Sequence, residues 1–178
     1  GELSTESWAI NSGWSNNPEN AVYPDSFMVD YVRVYDFPEG RHSYQENPYE
    51  IPGIIEAENY DLGESGDAYF DKSDDNSGDI YRVGDVDVQE CDEGGFNIGW
   101  TEDGEWLEYT INAAGTGLYD VDFRSASPTT GGIIALQMDG EEVLEPLALT
   151  TSPGWQSFQT TTAQSVTLDG GEQVMRLN

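Results

Sequence analysis

Residues 94–111 read GGFNIGWTEDGEWLEYTI: a glycine pair, an aromatic strand, a tight polar turn and a second aromatic strand. Alternation in the second half puts Trp106, Glu108 and Thr110 on one face and Glu105, Leu107, Tyr109 and Ile111 on the other. That is the period of a half-buried strand. Trp100 falls at the rim of the turn TEDG, next to a cluster of carboxylates. An indole in that place is either part of the core or a platform for a sugar ring. Trp106, inside the strand with alternating partners, is read as core.

Outward from this stretch the pattern stays all-β. Strands are expected near 53–58, 68–70, 80–89, 95–100, 105–112, 117–125, 132–138, 142–149, 154–162, 164–168 and 173–177. MDGEE at 138–142 and LDGGEQ at 168–173 carry Asp-Gly pairs, the sequence signal of a tight hairpin. No stretch holds a sustained helical period with caps. Many short strands at even spacing predict an all-β fold, a β-sandwich of jelly-roll type. Upstream, FMVDYVRVYDF at 27–37 is dense in β-branched and aromatic residues and adds one strand in an N-terminal extension. The chain thus divides into an extension at 1–37, a linker at 38–50 rich in Pro and polar residues, and a sandwich at 51–178. The single histidine, His42, is read as a solvated linker residue.

Composition narrows the function. The 178 residues include 35 acidic and 6 basic ones, for a formal net charge of −29. Phosphate recognition needs clustered Lys and Arg, so nucleic acid is excluded as a partner and an anionic membrane is disfavoured. Such a surplus repels itself unless salt or bound cations relieve it, which points to a saline or calcium-rich exterior. Cys91 stands alone, so no intrachain disulfide forms. No apolar run approaches the length of a membrane span, and no signal peptide is visible. The polar opening at Gly1 is read as that of a mature or trimmed product. Neither a Ser-His-Asp nor a Cys-His pair is available, and no glycine-rich phosphate loop precedes a helix. The chain is therefore read as non-catalytic.

GGFNIGWTEDGEWLEYTI, together with IIEAENYD (54–61) and PGWQSFQT (153–160), resembles the family 6 carbohydrate-binding modules, from about Ile51 to Asn178. The resemblance implies a jelly-roll sandwich, a structural calcium and a sugar site in the loops that join the two sheets. In that family one aromatic at the end of the NIGW strand and one in the GW turn hold a sugar ring between them. Here those positions are Trp100 and Trp155, for each of which a core role stays open. Glu56 and Glu58, two apart in IIEAENYD, fall on one face if that segment is a strand, where like charges are unfavourable without a cation between them. They resemble the family's calcium ligands. The acidic run Asp71, Asp74, Asp75 and Asp79 lacks the spacing of an EF-hand loop and reads as a solvated loop.

Family members continue after the strand matching VMRLN with a final strand of the type G-F-N-L-D-W-F-R-F, whereas this sequence ends at Asn178. Without that strand the sandwich has an open edge. The segment FMVDYVRV matches it position for position, with Asp30 where the calcium-binding aspartate falls and Met28 in place of the sugar-binding asparagine. The same segment also resembles the closing strand of family 16 glycoside hydrolases of the laminarinase type, although their catalytic E-x-D-x-x-E is absent. Two functions follow. One is binding of a polysaccharide, foremost a β-glucan such as laminarin with xylan, agarose and mixed-linkage glucans behind it, in a secreted polysaccharide-degrading system. The other is a structural subunit of an extracellular filament, self-associating head to tail by donation of residues 27–35 into a neighbour, with calcium.

Overall fold

A computed structural model describes residues 40–129 and 132–178, all within one compact unit, Pro38–Asn178. The strand expected at 27–35, with Asp30, lies outside the described residues. Ten strands are present: β1 Tyr49–Ile51, β2 Tyr69–Phe70, β3 Val88–Glu90, β4 Phe96–Ile98, β5 Trp106–Ala113, β6 Gly117–Ser125, β7 Ile133–Met138, β8 Glu141–Ala148, β9 Gln159–Leu168 and β10 Gly171–Leu177. The fold is an all-β sandwich, and no helix among the described residues is long and apolar enough to cross a membrane.

One layer is a six-stranded sheet in the order β1-β5-β10-β7-β8, with β2 also on β5. Strand β10 pairs antiparallel along β5 from Leu177↔Leu107 to Gly171↔Ala113. The opposite edge of β5 is shared by β2 near Leu107 and by the parallel strand β1 near Ile111. The facing layer consists of two ribbons, β3–β4 and β6–β9, with no hydrogen-bonded pairing between them among the described residues. The core fills with Tyr109, Ile111, Leu136 and Met138 from the first layer, and with Phe123, Ala163, Val166 and Leu168 from the second. Here the alternation read in the central stretch governs the packing: Tyr109, Ile111 and Ala113 turn inward.

The other face of β5 is not a plain solvent face. Glu108 is buried and receives Arg41 Nε at 2.9 Å and Arg176 Nη2 at 2.6 Å. Trp106 shares that face and does not enter the core. The Arg176 guanidinium lies 3.8 Å from its ring centre, a cation–π contact that covers one side of the indole.

The Asp139-Gly140 hairpin joins β7 to β8 as read, with φ of 51° and 84° at the two turn residues, the left-handed pair of a type I′ turn. The second Asp-Gly pair does not close a hairpin. Strand β9 belongs to the ribbon with β6 and β10 to the six-stranded sheet, so 169–170 is a corner between layers. Gly170 passes the backbone of Gly115 and Thr116 so closely that a Cβ would lie 2.9 Å from it.

Three strand assignments change: residues 154–162 and 164–168, expected as two strands, form the single strand β9, with 154–158 in the loop before it. Residues 53–58 form no strand: Pro52, lacking an N–H, ends β1, and Ala57–Asn59 form a 3₁₀ turn. Residues 80–87 are loop, with left-handed Tyr81 at φ 69°. Asn76 organises this loop by donating to the carbonyls of Ile80 and Arg82 and accepting from the amides of Gly78 and Val88. Of the stretch read as linker, the described part is bound into the sandwich. His42 pairs with Leu62 in both directions, and buried Tyr49 donates its hydroxyl to Asn59 O at 2.9 Å.

Candidate functional site

Strand β4 ends at Ile98, and Gly99 extends its ladder by donating to Asp87 O at 2.9 Å. A Cβ at 99 would meet Gln89 Nε2 at 2.9 Å, so the end of that side chain would have to shift. The next residue, Trp100, adopts φ 47°, a strained conformation for a bulky residue that is tolerated where the surroundings impose it. Its side chain is 57% exposed. The loop beyond it is fixed by Glu105, whose carboxylate accepts from Glu102 N at 2.7 Å and Lys72 N at 3.1 Å. Lys72 Nζ in turn donates to Asp103 O.

Trp155 sits in the loop before β9 and is 63% exposed. Buried Ser152 roots this loop, donating its amide to Ser127 O at 2.9 Å and its hydroxyl to Gly154 O at 2.8 Å. Both tryptophans therefore lie at the surface, and neither is a core residue. Gln156 ties the Trp155 loop to the β3–β4 hairpin. Its Nε2 donates to Asn97 Oδ1 at 3.2 Å and its Oε1 accepts from Asp92 N at 3.0 Å. Two open clefts of about 480 Å³ each lie elsewhere, one within loop 75–84 and one beside Arg41, Thr110 and Val174. Neither exposed indole lines either cleft.

The two glutamates part company. Glu56 precedes the 3₁₀ turn and is exposed, whereas Glu58 within it is buried. The expectation of one shared strand face fails because the turn replaces the period of two. Burial pushes the Glu58 carboxyl above its usual range; Glu56 adds to this, while backbone amides, including that of Phe96, oppose it. Glu58 has no ion-pair partner among the described residues. Nor do those residues hold a group of three acidic, His or Cys side chains placed for a metal. Asp71 spends its carboxylate on Ser73, accepting from its amide at 2.8 Å and its hydroxyl at 2.7 Å, as a loop cap does.

Sequence reasoning did not single out Gln156, Asn97 or Glu105. The first two flank the tryptophans in PGWQ and FNIGW, so adjacency to an exposed aromatic was the available signal.

The profile of the carbohydrate binding module (family 6) matches residues 76–178, more than half of the chain. Among curated proteins, the beta-agarase AgaA of Microbulbifer thermotolerans is 35% identical over 68 residues, 38% of this chain and 16% of the relative. The clotting factor G alpha subunit of Tachypleus tridentatus is 30% identical over 120 residues, 66% of this chain and 16% of the relative. The chain thus spans only a small part of the length of these relatives. Among solved structures, a β-1,3-glucan-binding family 6 module from Bacillus halodurans superposes with a TM-score of 0.55 at 26% identity, covering 74% of this chain and 85% of that one. The chain belongs to the family 6 carbohydrate-binding modules.

Proposed function

We propose that this module binds a neutral polysaccharide, foremost a β-1,3-glucan such as laminarin, through Trp100 and Trp155, outside the cell. The observation that carries the reading is the pair of exposed indoles on rooted loops, with Gln156 tying the Trp155 loop to the hairpin that precedes Trp100. The axial C–H groups of a pyranose are faintly positive, and an indole face is electron-rich and easily desolvated, so such rings stack. Support for the ligand class comes from the β-1,3-glucan-binding module of Bacillus halodurans, and for a polysaccharide-degrading context from the agarase relatives. Modules of this family bind without catalysing. One or two rings bury little area, so affinity falls in the range of roughly tens to hundreds of micromolar.

The test is affinity electrophoresis through gels containing laminarin, xylan, agarose or no glycan. Retardation by laminarin, lost in Trp100→Ala and in Trp155→Ala, supports the reading. Equal mobility of the parent and both variants in every gel sinks it.

Calcium belongs to the same proposal. A buried carboxyl without an ion-pair partner among the described residues suits a hard cation, which takes oxygen ligands. Glu58 would hold it, with Glu56 and Asp30 as further ligands.

A second reading, self-association by donation of residues 27–35 to a neighbouring chain, is favoured by the division of the second layer into two ribbons. Sedimentation of the chain with and without residues 1–37 tests it. Assemblies that vanish on truncation support strand donation, and a monomer in both cases removes it.

A further inference from the structure

A sugar held between two aromatic faces responds to their spacing, because sites work only when their groups are held to within about half an ångström. Trp100 and Trp155 come from loops far apart in the chain, and something must set the distance between those loops. Among the described residues, Gln156 is the side chain that spans from the Trp155 loop to the β3–β4 hairpin. We infer that Gln156 is a positioning residue for sugar binding, fixing Trp155 against the hairpin that ends in Trp100; the inference rests on the binding reading above.

The geometry is specific to an amide. Gln156 Nε2 donates to Asn97 Oδ1 at 3.2 Å, while Oε1 accepts from Asp92 N at 3.0 Å. Both ends of the group are used, one on the middle of β4 and one on the turn that precedes it. The Asn97 amide is oriented in its turn, because its Nδ2 donates to Ile98 O at 2.8 Å. Turning Asn97 over to suit a different partner would lose that bond. A glutamate at 156 therefore keeps the length of the tie and its acceptor for Asp92, but sets a carboxylate against the Asn97 oxygen. Asn97 lies three residues before Trp100, and Gln156 directly follows Trp155. The tie thus joins the residue next to one ring to the strand that leads into the other. Gln156 is half-buried and Trp155 exposed, so its bonds contribute little to global stability while deciding where one ring stands.

The experiment compares the parent chain with Gln156→Ala, Gln156→Glu and Trp155→Ala. Binding of laminarihexaose is measured by calorimetry, thermal unfolding is recorded without ligand, and the indole ¹⁵N heteronuclear NOE is read for each tryptophan. Gln156→Ala is expected to weaken binding about tenfold, because the sugar must then order a freed Trp155, with the melting temperature within about 2 °C of the parent. The Trp155 indole should become mobile while that of Trp106 does not change. Gln156→Glu should fall between the two in affinity. The inference is overturned if Gln156→Ala leaves affinity intact while Trp155→Ala abolishes it. Weakened binding with the Trp155 indole still ordered also overturns it, since Gln156 then acts on the sugar directly. If Trp155→Ala binds as the parent does, or the parent does not bind, the binding reading fails, and the indole NOE alone decides whether Gln156 fixes Trp155.

Discussion

Replacing Asp61 by Ala should be among the most damaging single changes in this module, although its carboxylate bonds to Thr110 and Arg41 and to neither site loop. Asp61 is fully buried. Its Oδ1 accepts from Thr110 N at 2.8 Å, and its Oδ2 accepts from Thr110 Oγ1 at 2.7 Å and Arg41 Nη1 at 2.8 Å. Truncation orphans the Thr110 amide, which costs about 1–3 kcal/mol when buried, and removes one charge-assisted bond of about 1.5–3 kcal/mol. Arg41 is not left alone, because Glu108 still holds its Nε at 2.9 Å. That spares the larger penalty of a stranded buried charge. The sum is about 3–5 kcal/mol, a large share of the roughly 5–15 kcal/mol available to a domain. It corresponds to a melting temperature lower by about 10–15 °C. Asn at 61 keeps a carbonyl oxygen for the Thr110 amide but turns its NH₂ toward another donor, so about half of the loss should remain. Urea unfolding followed by tryptophan fluorescence reads both variants, and the difference should change little between low and high salt because the pair is buried. A loss under about 1 kcal/mol for Asp61→Ala would refute this account, as would equal losses for the two substitutions.

Two other perturbations follow from groups the fold leaves at odds with their surroundings. Tyr60 is fully buried with no hydrogen-bond partner for its hydroxyl among the described residues, and burial pushes its pKa up to about 12. Tyr60→Phe keeps the ring under the Arg82 guanidinium, 3.7 Å away, and should raise stability by about 1 kcal/mol; a lower urea midpoint would mean that the hydroxyl has a partner. Glu58 has its pKa raised in the folded state, so in chelator its contribution favours folding below the usual carboxylate pKa and is lost as pH rises through the raised value. Glu58→Gln should therefore raise the melting temperature in chelator at pH 7 and flatten that pH dependence. Calcium at a hundredfold excess over its dissociation constant should stabilise the parent by about 2.7 kcal/mol and leave the variant unmoved. An equal calcium increment in both proteins removes Glu58 from the cation site.

The parts of the fold that could be read from the sequence are those decided within a few residues. Strands β5, β6 and β7 fall within a residue of where alternation put them, because one face of each packs on the core. Where a distant partner decides, local pattern misleads. IIEAENYD begins like a strand, yet the Tyr109 hydroxyl donates to Ala57 O at 2.9 Å and that of Tyr49 to Asn59 O, closing the segment into a turn. The stretch 80–87 has strand composition, but the Asn76 amide binds its carbonyls and holds it as loop. The two Asp-Gly pairs look alike in sequence; what separates hairpin from corner is the approach of Gly170 to Gly115. At the site, the exposure of Trp100 follows from backbone that Gly99 and the left-handed residue itself allow. The tie through Gln156, by contrast, depends on a residue 59 positions away.

The charge pattern joins scaffold to ligand. Five of the six basic residues lie among the described ones, and each is engaged internally. Arg41 and Arg176 serve Glu108, and Arg41 also Asp61. Arg82 donates to the carbonyls of Glu58, Tyr60 and Asp61. Arg124 pairs with Glu93, and Lys72 holds the loop beyond Trp100. Arginine suits such work because its fork of donors can satisfy two or three acceptors at once. With those cations committed, the remaining surface is dominated by uncompensated carboxylates. Its long-range field repels polyanions, sulfated or uronate-rich glycans among them, and this repulsion weakens as salt screens it. On the proposed reading, a neutral glucan would feel none of it and would meet two aromatic faces whose attraction acts at contact. Preference for neutral over anionic polysaccharides would then follow from the surplus of carboxylates over cations, before any hydrogen bond to the sugar is considered.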